Sequence, residues 1–183
     1  MNKTVKVWDP VVRVLHWALA TVVLANFVNE GGDPPHHWLG YTALALIGAR
    51  FVWGWIGPAH ARFSDWVRGP RAVAVYLRER LSGRSHRQLG HNPGAAVMMV
   101  ALLAGVALVG VTGWLQTTDR FLGEQWLEEL HEVLAWTLLV MIGLHVVAAI
   151  TESIHYRENL IASMIHGRKR SLDEAGSEDD ATP

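Results

Sequence analysis

The stretch LHEVLAWTLLVMIGLHVVAAI, residues 130–150, decides the reading of the chain. Its ionisable side chains are His131, Glu132 and His145, set in an otherwise apolar run that extends over about 129–155. A tilted membrane helix needs roughly 20 such residues to cross ~30 Å of hydrocarbon. On one helix the 14-residue spacing separates the two histidines by about 21 Å along the axis and about 40° around it. They therefore share one side, near opposite membrane boundaries. Histidine inside a span is uncommon and generally faces a partner or a cavity.

Three further apolar segments, about 11–29, 36–56 and 94–115, have spanning length. The composition agrees: of 183 residues half are hydrophobic and 18% charged, with nine Trp and a mean hydropathy of +0.17, too apolar for an ordinary soluble domain. Pro10 suits the first position of the first helix, and Asn92-Pro93 offers the third a cap followed by Pro. The expected architecture is all-α, an integral membrane four-helix bundle over 1–170, with an acidic tail at 171–183 whose composition predicts disorder. About 70–82 reads as an amphipathic surface helix, with Val73, Tyr76, Leu77 and Leu81 opposite Arg71, Arg78 and Arg80. The first span exceeds a signal-peptide core and lacks a following cleavage pattern, so it is expected to persist.

Charge is distributed unevenly. The net charge is -1, yet the tail alone carries five acids. Glu30 and Asp33 lie between spans one and two, and four acids against Arg120 lie between three and four. Seven Arg fall between Gly57 and Pro93, with Lys3, Lys6 and Arg13 at the start and Arg157 and Arg168 to Arg170 after the last span. By the positive-inside rule both termini and the long loop are cytoplasmic, as in a multi-pass protein of a bacterial inner membrane.

With this topology His16 lies near the cytoplasmic end of span one, and His36 or His37 opens span two from outside. Depth then pairs His16 with His145, and His36 (or His37) with His131. Two neutral imidazoles at one depth can supply both axial ligands of a haem iron. Small residues on the ligand faces, Gly40, Ala135 and Ala149, leave room for a porphyrin. A single membrane histidine would more simply join two helices by a hydrogen bond; four at matched depths favour two haem sites. The absence of Cys excludes disulfides, thiolate metal sites and thioether-linked haem, so the cofactors expected are two non-covalent, bis-His b haems.

The chain resembles the prokaryotic cytochrome b561 family, which includes hydrogenase and thiosulfate-reductase cytochrome b subunits. The matching stretches are Val7 to Trp17, His36-His-Trp-Leu-Gly40-Tyr41, Arg50 to Pro58, Gly90-His-Asn-Pro93 and His155 to Leu160, in order over about residues 5–170. The resemblance implies four haem-ligating histidines, carried over to His16, His36, His131 and His145. The family spacing to Gly40 favours His36, with His37 as the alternative.

Arg13 and Arg50 lie at the cytoplasmic haem level, where they could pair with propionates or snorkel to headgroups. Trp17 is placed to pack on porphyrin. Trp8, Trp38, Trp55, Trp114 and Trp126 read as boundary anchors. His91 and His155 read as interfacial, Glu132 and Glu152 as boundary carboxylates, and His60, His86 and His166 carry no assigned role. No Gly-rich phosphate loop is present, and the Arg-rich loop has the sign expected for inner-leaflet lipid, so nucleic acid is not an expected partner.

The function expected is electron transfer across the membrane between the quinone pool and a redox partner or small acceptor. The chain would serve either as a subunit of a larger redox enzyme or as a quinol-linked oxidoreductase by itself. The alternative is a His-lined transporter of divalent metal or protons. Such a transporter should carry midplane carboxylates or broken helices, and Ala18 to Leu24, Ala43 to Gly48 and Leu138 to Leu144 contain no acid.

Overall fold

A computed structural model describes residues 4–29, 31–59, 61–67, 69–82 and 93–170. Glu30, His60, His86, His91, Asn92, the side chains of Leu77, Arg80 and Leu81, and the 171–183 tail lie outside the described residues. The order is β1 (Thr4–Lys6), α1 (Pro10–Val28), α2 (Pro34–Ile56), α3 (Phe63–Trp66), α4 (Pro70–Leu81), α5 (Pro93–Gln116), α6 (Gln125–His155), α7 (Leu160–His166) and β2 (Arg168–Arg170). The helices α1, α2, α5 and α6 are each long and apolar enough to cross a membrane.

Proline and aspartate set the first two starts. Asp9 Oδ1 accepts from the backbone N–H of Val11 at 2.9 Å and of Val12 at 3.1 Å, with Pro10 at the first helical position. Asp33 repeats the device ahead of Pro34, accepting from His36 N–H at 3.2 Å. The second span thus begins two residues before the apolar run, because the cap rather than hydropathy fixes it. The last span likewise begins at Gln125, four residues before its apolar run.

α1 packs on α2, α2 on α5 and α5 on α6. Water gives no advantage to apolar contact between helices in lipid, so close packing of small residues must hold them together. Gly110 lets α5 approach α2, where an added Cβ would lie 2.6 Å from Leu44 Cδ2, and Gly105 lets it approach α6, at 2.9 Å from Met141 Cε. Each long helix contributes one residue to a buried apolar cluster: Val23, Ala43, Val106 and Leu138. Val140, Leu144, Val147 and other apolar residues on the outside of the bundle remain exposed, as lipid-facing positions should be.

The chain ends meet in a feature that hydropathy did not announce. Asn159 caps α7 through Oδ1 and Ala162 N–H at 2.8 Å. Gly167 ends it in the left-handed region at φ 83°, a conformation that glycine adopts without strain. Its carbonyl accepts from Val7 and Trp8 N–H at 2.9 and 3.1 Å. β1 and β2 then pair antiparallel, with Val5 opposite Lys169. Both described ends of the chain therefore lie at one end of the bundle. Trp8, expected as a boundary anchor, is buried there: its Nε1–H donates to Ser163 Oγ at 3.2 Å, and Lys169 Nζ lies 5.0 Å from its ring centre. The other four Trp named as anchors are exposed.

Candidate functional site: two facing histidine pairs

α6 carries one histidine near each end, and each meets a histidine from another helix. His16 of α1 faces His145 with ring centres 6.4 Å apart; His36 of α2 faces His131 at 6.3 Å. Depth paired His16 with His145 and left His36 or His37 to meet His131; in the structure His36 faces His131. Two imidazoles in line on one metal ion, with metal–N near 2.0 Å and each nitrogen about 1 Å from its ring centre, have centroids about 6 Å apart. Both separations fit one metal ion held between two rings and exceed a direct hydrogen-bonded contact.

A common heptad places the pairs. Val23 follows His16 by seven residues, Ala43 follows His36 by seven, and Leu138 lies seven from both His131 and His145. Seven residues are nearly two turns, or about 10.5 Å. The buried cluster of these three residues with Val106 is thus equidistant from all four ligand candidates and forms an apolar floor between the two sites.

The surroundings of the pairs differ. His36 Nδ1 lies 2.8 Å from the backbone oxygen of Asn29. A carbonyl only accepts, so His36 Nδ1 carries the proton and Nε2 presents its lone pair. His131 Nδ1 lies 2.9 Å from Thr112 Oγ1, which itself lies 2.9 Å from Leu108 O and 3.0 Å from Val109 O. The single hydroxyl proton goes to one of those carbonyls, leaving oxygen lone pairs to accept from His131 Nδ1–H. Gly113 lies against the same ring, 3.0 Å from a built Cβ to His131 Cε1. At the other end, His16 Nδ1 is buried with no hydrogen-bond partner among the described residues. His37 stacks edge-on to His36 at 6.2 Å and pairs with neither α6 histidine.

Arg13 and Arg50 both turn to backbone rather than outward. Arg13 Nη1 donates to the Ile165 carbonyl, whereas buried Arg50 donates through Nη2 to Ala61 O at 3.1 Å and stacks on Phe63 at 5.0 Å. Arg13 Nε and Arg50 Nη1 are buried and have no partner among the described residues. Trp17 lies edge-on to His16 at 5.1 Å, with its N–H donating to Met164 O at 3.3 Å. A Cβ at Gly40 would meet nothing within 4 Å, so the space one turn beyond His36 is open. Among the described residues no group of three or more His, Cys, Asp or Glu is arranged to hold a metal ion.

Thr112, Gly113 and the Asn29 carbonyl were missed in the sequence. Thr112 was the findable one, a hydroxyl in an apolar helix at the depth of His131. The Asn29 carbonyl has no side-chain signal.

The model of the family described as prokaryotic cytochrome b561 matches residues 7–167, nearly the whole described chain. The chain belongs to that family. Its relatives include probable Ni/Fe-hydrogenase B-type cytochrome subunits of Rhodobacter capsulatus, 25% identical over 93% of this chain and 83% of the relative. Those of Cupriavidus necator (26%; 93% and 89%) and Azotobacter vinelandii (25%; 93% and 90%) are similar. No solved structure matches the chain. A membrane-spanning b-type cytochrome transfers electrons by way of haem b, and the facing pairs and the open space at Gly40 fit that group.

Proposed function

We propose that the chain holds two b haems, His16 and His145 ligating one and His36 and His131 the other, and that it carries electrons across a bacterial inner membrane. The observation that carries this reading is the pair of near-equal 6.3 and 6.4 Å facing separations on either side of one apolar floor. Haem supplies the one-electron chemistry when bound; the protein supplies ligation, position and dielectric. His36 and His131 keep Nε2 toward the iron by binding their own Nδ1 protons elsewhere. Val23, Ala43, Val106 and Leu138 exclude water from the midplane between the sites. Arg13 and Arg50 are proposed to use their remaining donors on propionates, Gly40 to admit the porphyrin edge and Trp17 to line it.

Lys6, Arg13 and Arg168 to Arg170 gather where the chain ends meet, while Asp33, Glu124, Glu128 and Glu129 lie at the opposite end. The positive-inside rule then puts both termini in the cytoplasm. The relatives named for hydrogenases support a protein redox partner at one face, and the quinone pool is the proposed membrane-soluble partner. The aligned 218 positions against 93% of a 183-residue chain mean that the Rhodobacter relative carries interior residues absent here.

The test is a reduced-minus-oxidised spectrum and quinol reduction of the purified protein in liposomes. Sharp b-type bands and reduction by a hydrophobic quinol analogue without a soluble donor are expected. A protein without haem bands overturns the reading and returns the His-lined transporter.

A further inference from the structure

The two histidine pairs have similar separations but different hydrogen bonding. Both ligands of the His36–His131 pair donate from Nδ1, to Asn29 O at 2.8 Å and to Thr112 Oγ1 at 2.9 Å. In the other pair, His16 Nδ1 is buried without a partner among the described residues. His145 makes a ring contact with His16 and no side-chain hydrogen bond among those residues. An imidazole that donates from its outer nitrogen gives more electron density to the metal at the inner one, and this favours the ferric state.

Fixed charge acts in the same direction. Arg13 and Arg50, each with a buried nitrogen lacking a partner among the described residues, stand at the His16–His145 end; Asp9 at the same end offsets one of these charges, and the remaining positive charge favours the less positive, ferrous iron there. Asp33, Glu128 and Glu132 flank the other pair. They are exposed, so solvent screens much of their contribution. The part-buried hydrogen bonds on His36 and His131 are the main cause of the difference.

We infer that Thr112, with the Asn29 carbonyl, is a positioning residue that sets the haem held by His36 and His131 at a lower reduction potential than the haem held by His16 and His145. The inference rests on the two-haem reading above. It gives the transmembrane path a downhill direction, from the acid-flanked end toward the end where the termini meet. Electrons arriving at the acid-flanked end are thereby drawn inward.

The experiment is a spectroelectrochemical titration of the purified holoprotein in detergent, comparing wild type with Thr112→Val and Thr112→Ser. Valine keeps the branched shape and removes the acceptor; serine keeps the acceptor. Two resolved components are expected, and His131→Ala should remove the lower one. Thr112→Val should raise the lower component alone, by about tenfold in the reduced-to-oxidised ratio at fixed ambient potential, equivalent to about 59 mV for one electron. Thr112→Ser should restore it. The infrared band of the His131 side chain should shift in the valine variant without loss of haem. Coincident potentials, loss of the higher component in His131→Ala, or an unmoved lower component in a Thr112→Val protein that retains both haems would each overturn the inference. A haem content of one or none per chain would instead refute the two-haem reading.

Discussion

Gly113→Ala adds one methyl group beside His131 and tests how tightly α5 fixes that ring. The new Cβ would stand 3.0 Å from Cε1 and 3.5 Å from Nδ1. Carbon–carbon contact is favourable near 3.5 Å, so the ring or helix must yield by about 0.5 Å. Metal–ligand distances tolerate about ±0.2 Å, and the Thr112 bond on Nδ1 limits the ring's escape. Overpacking of this kind costs about 1–3 kcal/mol, which lowers affinity roughly fivefold to a hundredfold at about 1.4 kcal/mol per decade. The assay is haem retention against an excess of a haem-scavenging apoprotein, followed by pyridine haemochrome and absorption spectra. The His36–His131 haem is expected to leave first, and the His16–His145 haem serves as the internal control. Retention of both at the wild-type rate, with unchanged spectra, would refute the claim that Gly113 sets the ring's position.

Other consequences follow from the packing and the hydrogen bonds. Leu138→Ala empties the centre of the apolar floor and should cost about 2–5 kcal/mol, seen as a clearly lower Tm with both haems still bound; an unchanged Tm contradicts its place in the core. His37→Ala should leave haem content unchanged while His36→Ala removes one haem, and the reverse result transfers the ligand to His37. Arg50→Gln removes the hold on Ala61 O and Phe63. Trypsin should then cut at Arg62 faster, and unaltered cleavage would show that Arg50 does not secure that segment.

The spans and the histidine pairing were legible because both follow from periodicity and depth. Fourteen residues between His131 and His145 fix their common side on any α-helix. Family spacing favoured His36 over His37, and the hydrogen bond from His36 Nδ1 to Asn29 O gives the physical counterpart, since it leaves Nε2 with a free lone pair on a ring 6.3 Å from that of His131. Helix starts were less legible where a polar cap precedes the apolar run, as at Asp33. The β1–β2 ribbon, α7 and the burial of Trp8 were not legible. Three-residue strands carry no detectable alternation, and their pairing joins residues more than 160 apart in sequence. Thr112 went unnoticed because a hydroxyl in an apolar helix usually bonds its own backbone, which it also does here.

The haem-to-protein ratio of the purified chain, measured by pyridine haemochrome against quantitative amino-acid analysis for wild type and His131→Ala side by side, tests the central claim most directly. Two acid-acetone-extractable haems per chain in the wild type and one in the variant are expected. One haem in both proteins, or none in the wild type, would contradict the assignment of a haem to each facing histidine pair.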